Sequence, residues 1–184
     1  MKKYSGYEYV SGDFENQEEI LYKSLGSVTY GSDFAWGWDE RSKNNALLIN
    51  SAERGELALV KFALERGAEI NSYHGRALID SSKNGYMEII QYLFDNGATN
   101  QVHAVNKAIV NNKLDVLKYL ISRTPIFANS LYIKSDTITR AVKRGRLAIL
   151  KYLYEDLKIS ITIGVLNYAK KNKTKKSSKY LTYL

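Results

Sequence analysis

One block of sequence recurs along this chain, and that recurrence limits the fold more than any other property. The first copy, Gly55 to Ala68, reads GELALVKFALERGA. Its apolar residues Leu57, Val60 and Leu64, with Leu59, Phe62 and Ala63 between them, follow the spacing of an amphipathic helix. Gly67 closes the block, as expected where a helix ends. The second copy, GYMEIIQYLFDNGA, spans Gly85 to Ala98; KLDVLKYLISR and GRLAILKYLYEDL follow. The anchor residue falls at Leu57, Met87, Leu114 and Leu147, in steps of 30, 27 and 33 residues. A period of this length predicts stacked supersecondary units, each too small to bury its own apolar face. A shorter helical segment precedes each block: ALLINSAER, RALIDSSKN, AVNKAIVNN and TITRAVKR. The unit is therefore helix, tight turn, second helix and a connection of variable length.

This frame resembles the ankyrin repeat. Ala52, Gly55 and Leu57 followed by Val60-Lys61 and Gly67-Ala68 carry the resemblance, as do Gly85, Met87 to Ile90 and Gly97-Ala98. Asn112 replaces the turn glycine in the third copy, and asparagine is the next most tolerant of left-handed backbone. The fourth copy has Ala141, Gly145, Leu147 and Leu150 in frame but lacks the closing Gly-Ala. The V/L-K-Y-L wording is similar to that of ankyrin repeat proteins of giant DNA viruses, mimivirus-like ones included. The resemblance implies an all-α fold, an α-solenoid of about four helix-turn-helix repeats with degenerate terminal caps. Its repeats fall at about 45–73, 74–101, 102–134 and 135–162. One departure is that the family's Thr-Pro-Leu-His helix start is replaced by ALLI, RALI, HAVN and DTIT. Without the Thr-His hydrogen bonds, cohesion between repeats is expected from apolar burial.

Residues 1–44 are read as an N-terminal cap or half-repeat. Phe14 to Gly26 echoes a second helix, and Trp36 and Trp38 cover the open end of the stack or anchor a partner. Two connections look clipped, at Ser72 to Gly75 and at Val102. A third is long, TPIFANSLYIKSD, and contains the only proline, Pro125; by the resemblance it projects as a hairpin around Ser130 to Ser135. Residues 163–184 are read as a degenerate Lys-rich C-terminal cap or tail, although Ala169 and Asn172 fall in frame.

Composition narrows the function classes. Hydrophobic content of 45% and charged content of 25% suit a globular chain. No cysteine is present, which removes disulfides, thiolate zinc sites and a cysteine nucleophile. No run approaches a membrane span, and the N-terminus lacks the apolar core of a signal peptide, so the chain is read as soluble and intracellular, in cytoplasm or nucleus. The net charge of +8 is uneven: residues 167 to 184 hold six lysines and no acid. No glycine-rich phosphate loop or serine elbow appears. His74 and His103 each stand in or beside a connection with no second histidine four residues on. No catalytic, cofactor or metal residue is nominated, and the chain is read as a non-enzyme. Glu53, Glu56, Glu65 and Glu69 are read as local ion pairs with Arg54, Lys61 and Arg66.

The resemblance implies protein–protein interaction on the concave face and hairpin edge. Carried over by position, the partner-binding residues are Glu53 and Arg54, Lys83 and Asn84, Val110 and Asn111, and Lys143 and Arg144. Arg66 and Asn96, before the closing glycines, and the tips Tyr73, His74 and Tyr132 join them. The row becomes basic toward its end, which implies a protein partner that bears an acidic patch; the chain itself is read as a monomer without a membrane partner. The alternative is nucleic-acid or nuclear-import binding through Lys170, Lys171, Lys173, Lys175, Lys176 and Lys179, with Tyr168, Tyr180 and Tyr183 interleaved.

Overall fold

The computed structural model describes residues 3–4, 7–8, 39–124, 133, 135–160, 162–172 and 176–182. Phe14 to Gly26, the tryptophan pair, Tyr132, Lys173, Lys175 and Tyr183 lie outside them. The described body is all-α, with consecutive helices packed together. In chain order these are α1 Glu40–Arg54, α2 Leu57–Glu65, α3 Ser72–Asn84, α4 Met87–Asp95 and α5 Gln101–Val110. Then come α6 Leu114–Arg123, α7 Ser135–Lys143, α8 Leu147–Lys151 continued by a π turn at Tyr152–Asp156, α9 Ile163–Lys171 and α10 Lys176–Thr182. Two short strands at the N-terminus, β1 Lys3–Tyr4 and β2 Tyr7–Glu8, pair antiparallel with Lys3 opposite Glu8. No described helix is long and apolar enough to cross a membrane. Packing divides the chain into two units, residues 1–77 with 88–99 and residues 78–87 with 100–184.

In the first unit α1 starts at Glu40, six residues before the segment read from apolar spacing, with Asp39 as its N-cap. Asp39 Oδ1 accepts the Ser42 N–H at 2.7 Å, an N-cap that ties down an orphan donor of the first turn. That bond holds the Asp39 carboxyl below its usual range. Leu47, Leu48, Ser51 and Ala52 of α1 are buried, as are Val60 and Ala63 of α2 and Ile89, Ile90 and Leu93 of α4. In the second unit α5 packs on α6, α7 on α8 and α9 on α10, while α7 also packs between α5 and α9. The same positions are buried there. In the first helices they are Ala104, Val105, Ala108 and Ile109, then Thr137, Ile138, Ala141 and Val142. In the second helices they are Val116, Leu117 and Leu120, then Ile149, Leu150 and Leu153. Val142, with Ala141 one place earlier, is thus the residue that matches Ala52.

This corrects the stripe read from sequence. Leu57, Met87, Leu114 and Leu147 are only half-buried, because each is the first residue of its helix, where the chain has just left an exposed turn. The fully enclosed positions lie three and six residues further on. In the first copy the small Ala63 is enclosed and the larger Leu64 is half-buried. Burying a leucine or isoleucine side chain contributes roughly 1.5–3 kcal/mol, so each layer of this kind is a substantial term.

The turns recur as closely as the core. Gly67 and Gly97 are left-handed, at φ 86° each. Ala68 N–H donates to Ala63 O at 3.0 Å, and Ala98 N–H to Leu93 O at 2.9 Å, the six-residue closure that caps a helix C-terminus. Asn112, at φ 62°, forms the same closure through Lys113 N–H and Ala108 O, as its substitution for glycine predicts. The fourth copy ends differently. The π turn adds one residue to the helix, Lys158 takes the left-handed position at φ 53°, and Ile159 is buried where Ala68 and Ala98 are buried. A single-residue insertion thus stands in for the missing Gly-Ala.

The segment read as a tail is a fifth helix pair. Val165 and Ala169 of α9 and Ser178 and Leu181 of α10 are buried. The lysines that dominate this stretch of sequence conceal a short apolar seam.

Candidate interaction face

Two kinds of side-chain contact fix the helix pairs, one within a pair and one between pairs, and both bear on what is left for a partner. The first kind is asparagine. Asn44 Nδ2 donates to Arg66 O at 2.8 Å, and Asn45 Oδ1 accepts Glu69 N–H at 2.6 Å. Asn71 repeats this further on: its Nδ2 donates to Gly97 O at 3.2 Å and its Oδ1 accepts Thr99 N–H at 2.7 Å. Each amide clamps the turn that follows a second helix. Ser135 and Thr162 pair through their hydroxyls at 3.0 Å in the second unit. These bonds fasten a first helix to the turn that closes its own pair, so the pairs that have them do not rest on apolar burial alone. Glu69 is also not a local ion pair: its carboxylate meets Arg41, 28 residues away.

The second kind is the lysine four residues after Leu57, Leu114 and Leu147, set against an aromatic ring of the following pair; Met87 has Gln91 at that position. Lys61 lies 5.2 Å from the centre of Tyr92, Lys118 5.4 Å from Tyr152 and Lys151 5.9 Å from Tyr180. Each contact is worth about 0.5–1 kcal/mol at exposed sites. The recurring Lys-Tyr wording therefore has a structural use on the second helices, and sequence reading had assigned it none.

The candidate partner residues fall into distinct groups. Tyr73 and His74 are exposed at the tip of a left-handed turn, with φ 48°, 59° and 71° at Tyr73, His74 and Gly75 and Gly75 N–H donating to Asn71 O at 3.0 Å. Left-handed backbone costs roughly 1–2 kcal/mol per non-glycine residue, and the Asn71 clamp is what fixes the turn's base. Asn96 and Asn111 turn their amides back onto their own helices, at Tyr92 O and Lys107 O. Arg66 lies over the Phe62 ring at 5.0 Å. Arg54 is exposed and Glu53 half-buried at the end of α1.

In the second unit, Lys83 and Asn84 are half-buried at the end of α3, and Lys143 and Arg144 are exposed at the end of α7. Val110 is buried, 9% exposed, so it is not a contact residue; its apolar side chain turns inward. Its carbonyl nevertheless has a role, since Arg144 Nη1 and Arg146 Nε both donate to it, at 3.3 and 3.4 Å. Lys113 does something similar one pair earlier. Its stem lies over Gly85, where an added Cβ would meet Lys113 Cδ at 3.0 Å. Basic side chains of each turn thus reach back over the helix end before them, where the macrodipole favours positive charge.

Lys170 and Lys171, taken from the sequence as part of a separate tail, are exposed at the end of α9 in the same register as Lys143 and Arg144 at the end of α7. Their register could have been read from Ala169 and Asn172. Lys179 is exposed on α10, and Lys176 also belongs to that helix. Two of the three interleaved tyrosines already face lysines: Tyr168 lies under Lys143 at 5.2 Å and Tyr180 under Lys151. Tyr180 OH also donates to Glu155 Oε1 at 2.8 Å.

Burial pushes the Tyr154 hydroxyl up to about 12, with Tyr180 beside it adding to the effect. Tyr180 is also raised to about 12, by desolvation first and then by its bond to Glu155. Both native values lie above the unfolded value of 10, so the native state keeps protons that the unfolded chain has released. Stability from these phenols is complete below pH 10 and is lost as pH rises from about 10 to 12. Among the described residues Tyr154 OH has no hydrogen-bond partner. Tyr154→Phe should therefore stabilise the chain by about 1 kcal/mol at neutral pH and flatten the alkaline fall in melting temperature. Thermal melts followed by circular dichroism between pH 8 and 12 check both effects; an unchanged alkaline slope counts against this assignment.

Compared with models of known protein families and with curated proteins, the sequence matches none significantly.

Proposed function

We propose that the chain is a non-catalytic protein-interaction scaffold, an ankyrin-type array that grips a protein partner along the ends of its first helices and adjoining turns. One observation carries the reading. At the four first-helix ends of the second unit the enclosed positions stay apolar or small, while the exposed or half-buried residues after them are Lys83 and Asn84, then Asn111, then Lys143 and Arg144, then Lys170 and Lys171. A repeated frame that varies its chemistry at one fixed outward position is how repeat proteins build a recognition surface. The shift to basic residues in the last two pairs favours a partner with an acidic patch. The cover of Tyr168 and Tyr180 by lysines favours this reading over nucleic acid, because stacking platforms are what single-stranded binding needs.

Lys143→Glu with Arg144→Glu should abolish capture of the partner from expressing cells, read by affinity capture and mass spectrometry, with helical circular dichroism unchanged. Capture that survives both substitutions removes the first-helix ends from the proposed surface.

A further inference from the structure

The Arg144 and Arg146 guanidinium groups share a single oxygen, the Val110 carbonyl, at 3.3 and 3.4 Å. A helix terminus carries only about half a charge, so this oxygen offsets less than one of the two cations gathered on it. Residues 137 to 154 contain no carboxylate, and the sequence has none after Asp156. Asp136, at the far end of α7, pairs with Arg140, and Glu155 accepts from Tyr180. Lys170 and Lys171 stand exposed at the end of α9, which packs directly on α7. The arginines are held in place before any ligand arrives, and a guanidinium so held loses less freedom on meeting a carboxylate.

We infer that these two helix ends seat an extended acidic segment of the partner protein. One carboxylate enters between Arg144 and Arg146, where a bidentate bond is available. A second, three residues along, meets Lys170 and Lys171. Packed helices lie about 10 Å apart and an extended chain advances about 3.3 Å per residue, which sets that spacing. The inference rests on the scaffold reading and deepens it. A polypeptide fits better than a nucleic acid because the charged pairs stop at α7: the end of α5 offers Val110 and Asn111, whereas a nucleic-acid tract needs a longer run of phosphate contacts.

The test uses the full chain and labelled peptides, read by fluorescence anisotropy at low salt. One peptide carries glutamate at every third residue of a Gly-Ser background; a second has the same glutamates adjacent; a third has glutamine instead; a thymidine oligonucleotide is the fourth probe. The spaced peptide should bind at least about tenfold more tightly than the glutamine peptide, and more tightly than the adjacent one. Arg144→Gln with Arg146→Gln should remove about tenfold of that affinity. Because those substitutions also strip the Val110 carbonyl, Lys170→Gln with Lys171→Gln serves as the second variant and should remove several-fold. Lys118→Gln with Lys151→Gln, the same charge taken from second helices, should leave binding within about twofold. Equal losses in that control, tighter binding of the oligonucleotide, or no preference for the spaced peptide overturns the inference. A chain that captures its partner yet ignores the spaced peptide overturns the seat alone. A chain that captures no partner overturns the scaffold reading, and this inference with it.

Discussion

Leu117→Ala should lower the unfolding free energy by about 2–5 kcal/mol, while Leu114→Ala, three residues earlier in the same helix, should cost clearly less. Leu117 is fully enclosed and Leu114 half-buried. Truncating Leu117 removes its transfer energy and leaves a cavity in a layer that already holds Val116 and Leu120. Truncating Leu114 opens onto solvent beside the Asn112 turn, so water fills what is lost. Urea denaturation followed at 222 nm compares the two. Equal losses, or a larger one at Leu114, would place the core on the anchors themselves and undo the three-and-six pattern described above.

The second large effect is expected at Asn45. Its Oδ1 receives the Glu69 N–H at 2.6 Å, and Asn45 is itself 8% exposed. Asn45→Ala leaves that backbone donor without its acceptor, a loss of about 1–3 kcal/mol. Asn71→Ala should cost less than Asn45→Ala, about 0.5–1.5 kcal/mol, because its bonds to Gly97 O and Thr99 N–H are exposed and water can replace them. The matched control is Asn96→Ala, where an exposed amide only folds back onto Tyr92 O; its effect should stay within about 0.5 kcal/mol. Denaturation midpoints at fixed ionic strength read all three. If Asn45 behaves like Asn96, the clamp is incidental and apolar contact alone holds the first pair.

The repeat was legible because a helix writes its period in large apolar residues, and four copies reinforced one another. The residues inside the core were less legible. Leu57 and Val60 are equally apolar on paper, and only the position of the turn shows that one opens the helix and the other faces inward. Ala63 lost to Leu64 in any reading by size, yet close helix approach selects the small side chain. Val110 was placed in the recognition row by register, although an apolar residue among charged ones was itself a signal that the backbone there faces outward and the side chain does not. The asparagine clamps were invisible because their partners are carbonyls and amides of turns about 22–28 residues away, which no local pattern encodes. The first helix of the fifth pair was legible from Ala169 and Asn172, whereas its second helix was hidden among lysines that leave Leu181 as its one enclosed large apolar residue.

Three lysine-over-tyrosine contacts point forward from a lysine on one second helix to a ring on a later second helix. The fourth brick carries both halves of such a rung, the ring Tyr152 as socket and the lysine Lys151 as tongue, whereas the second has the ring Tyr92 but Gln91 where the lysine would stand. A duplicate of the fourth brick spliced in after it would therefore dock to its predecessor and receive its successor with no compensating change elsewhere. A duplicate of the second would arrive without its tongue. Growth by whole units is thus a cheap move at the C-terminal end of the array and a costlier one near its start.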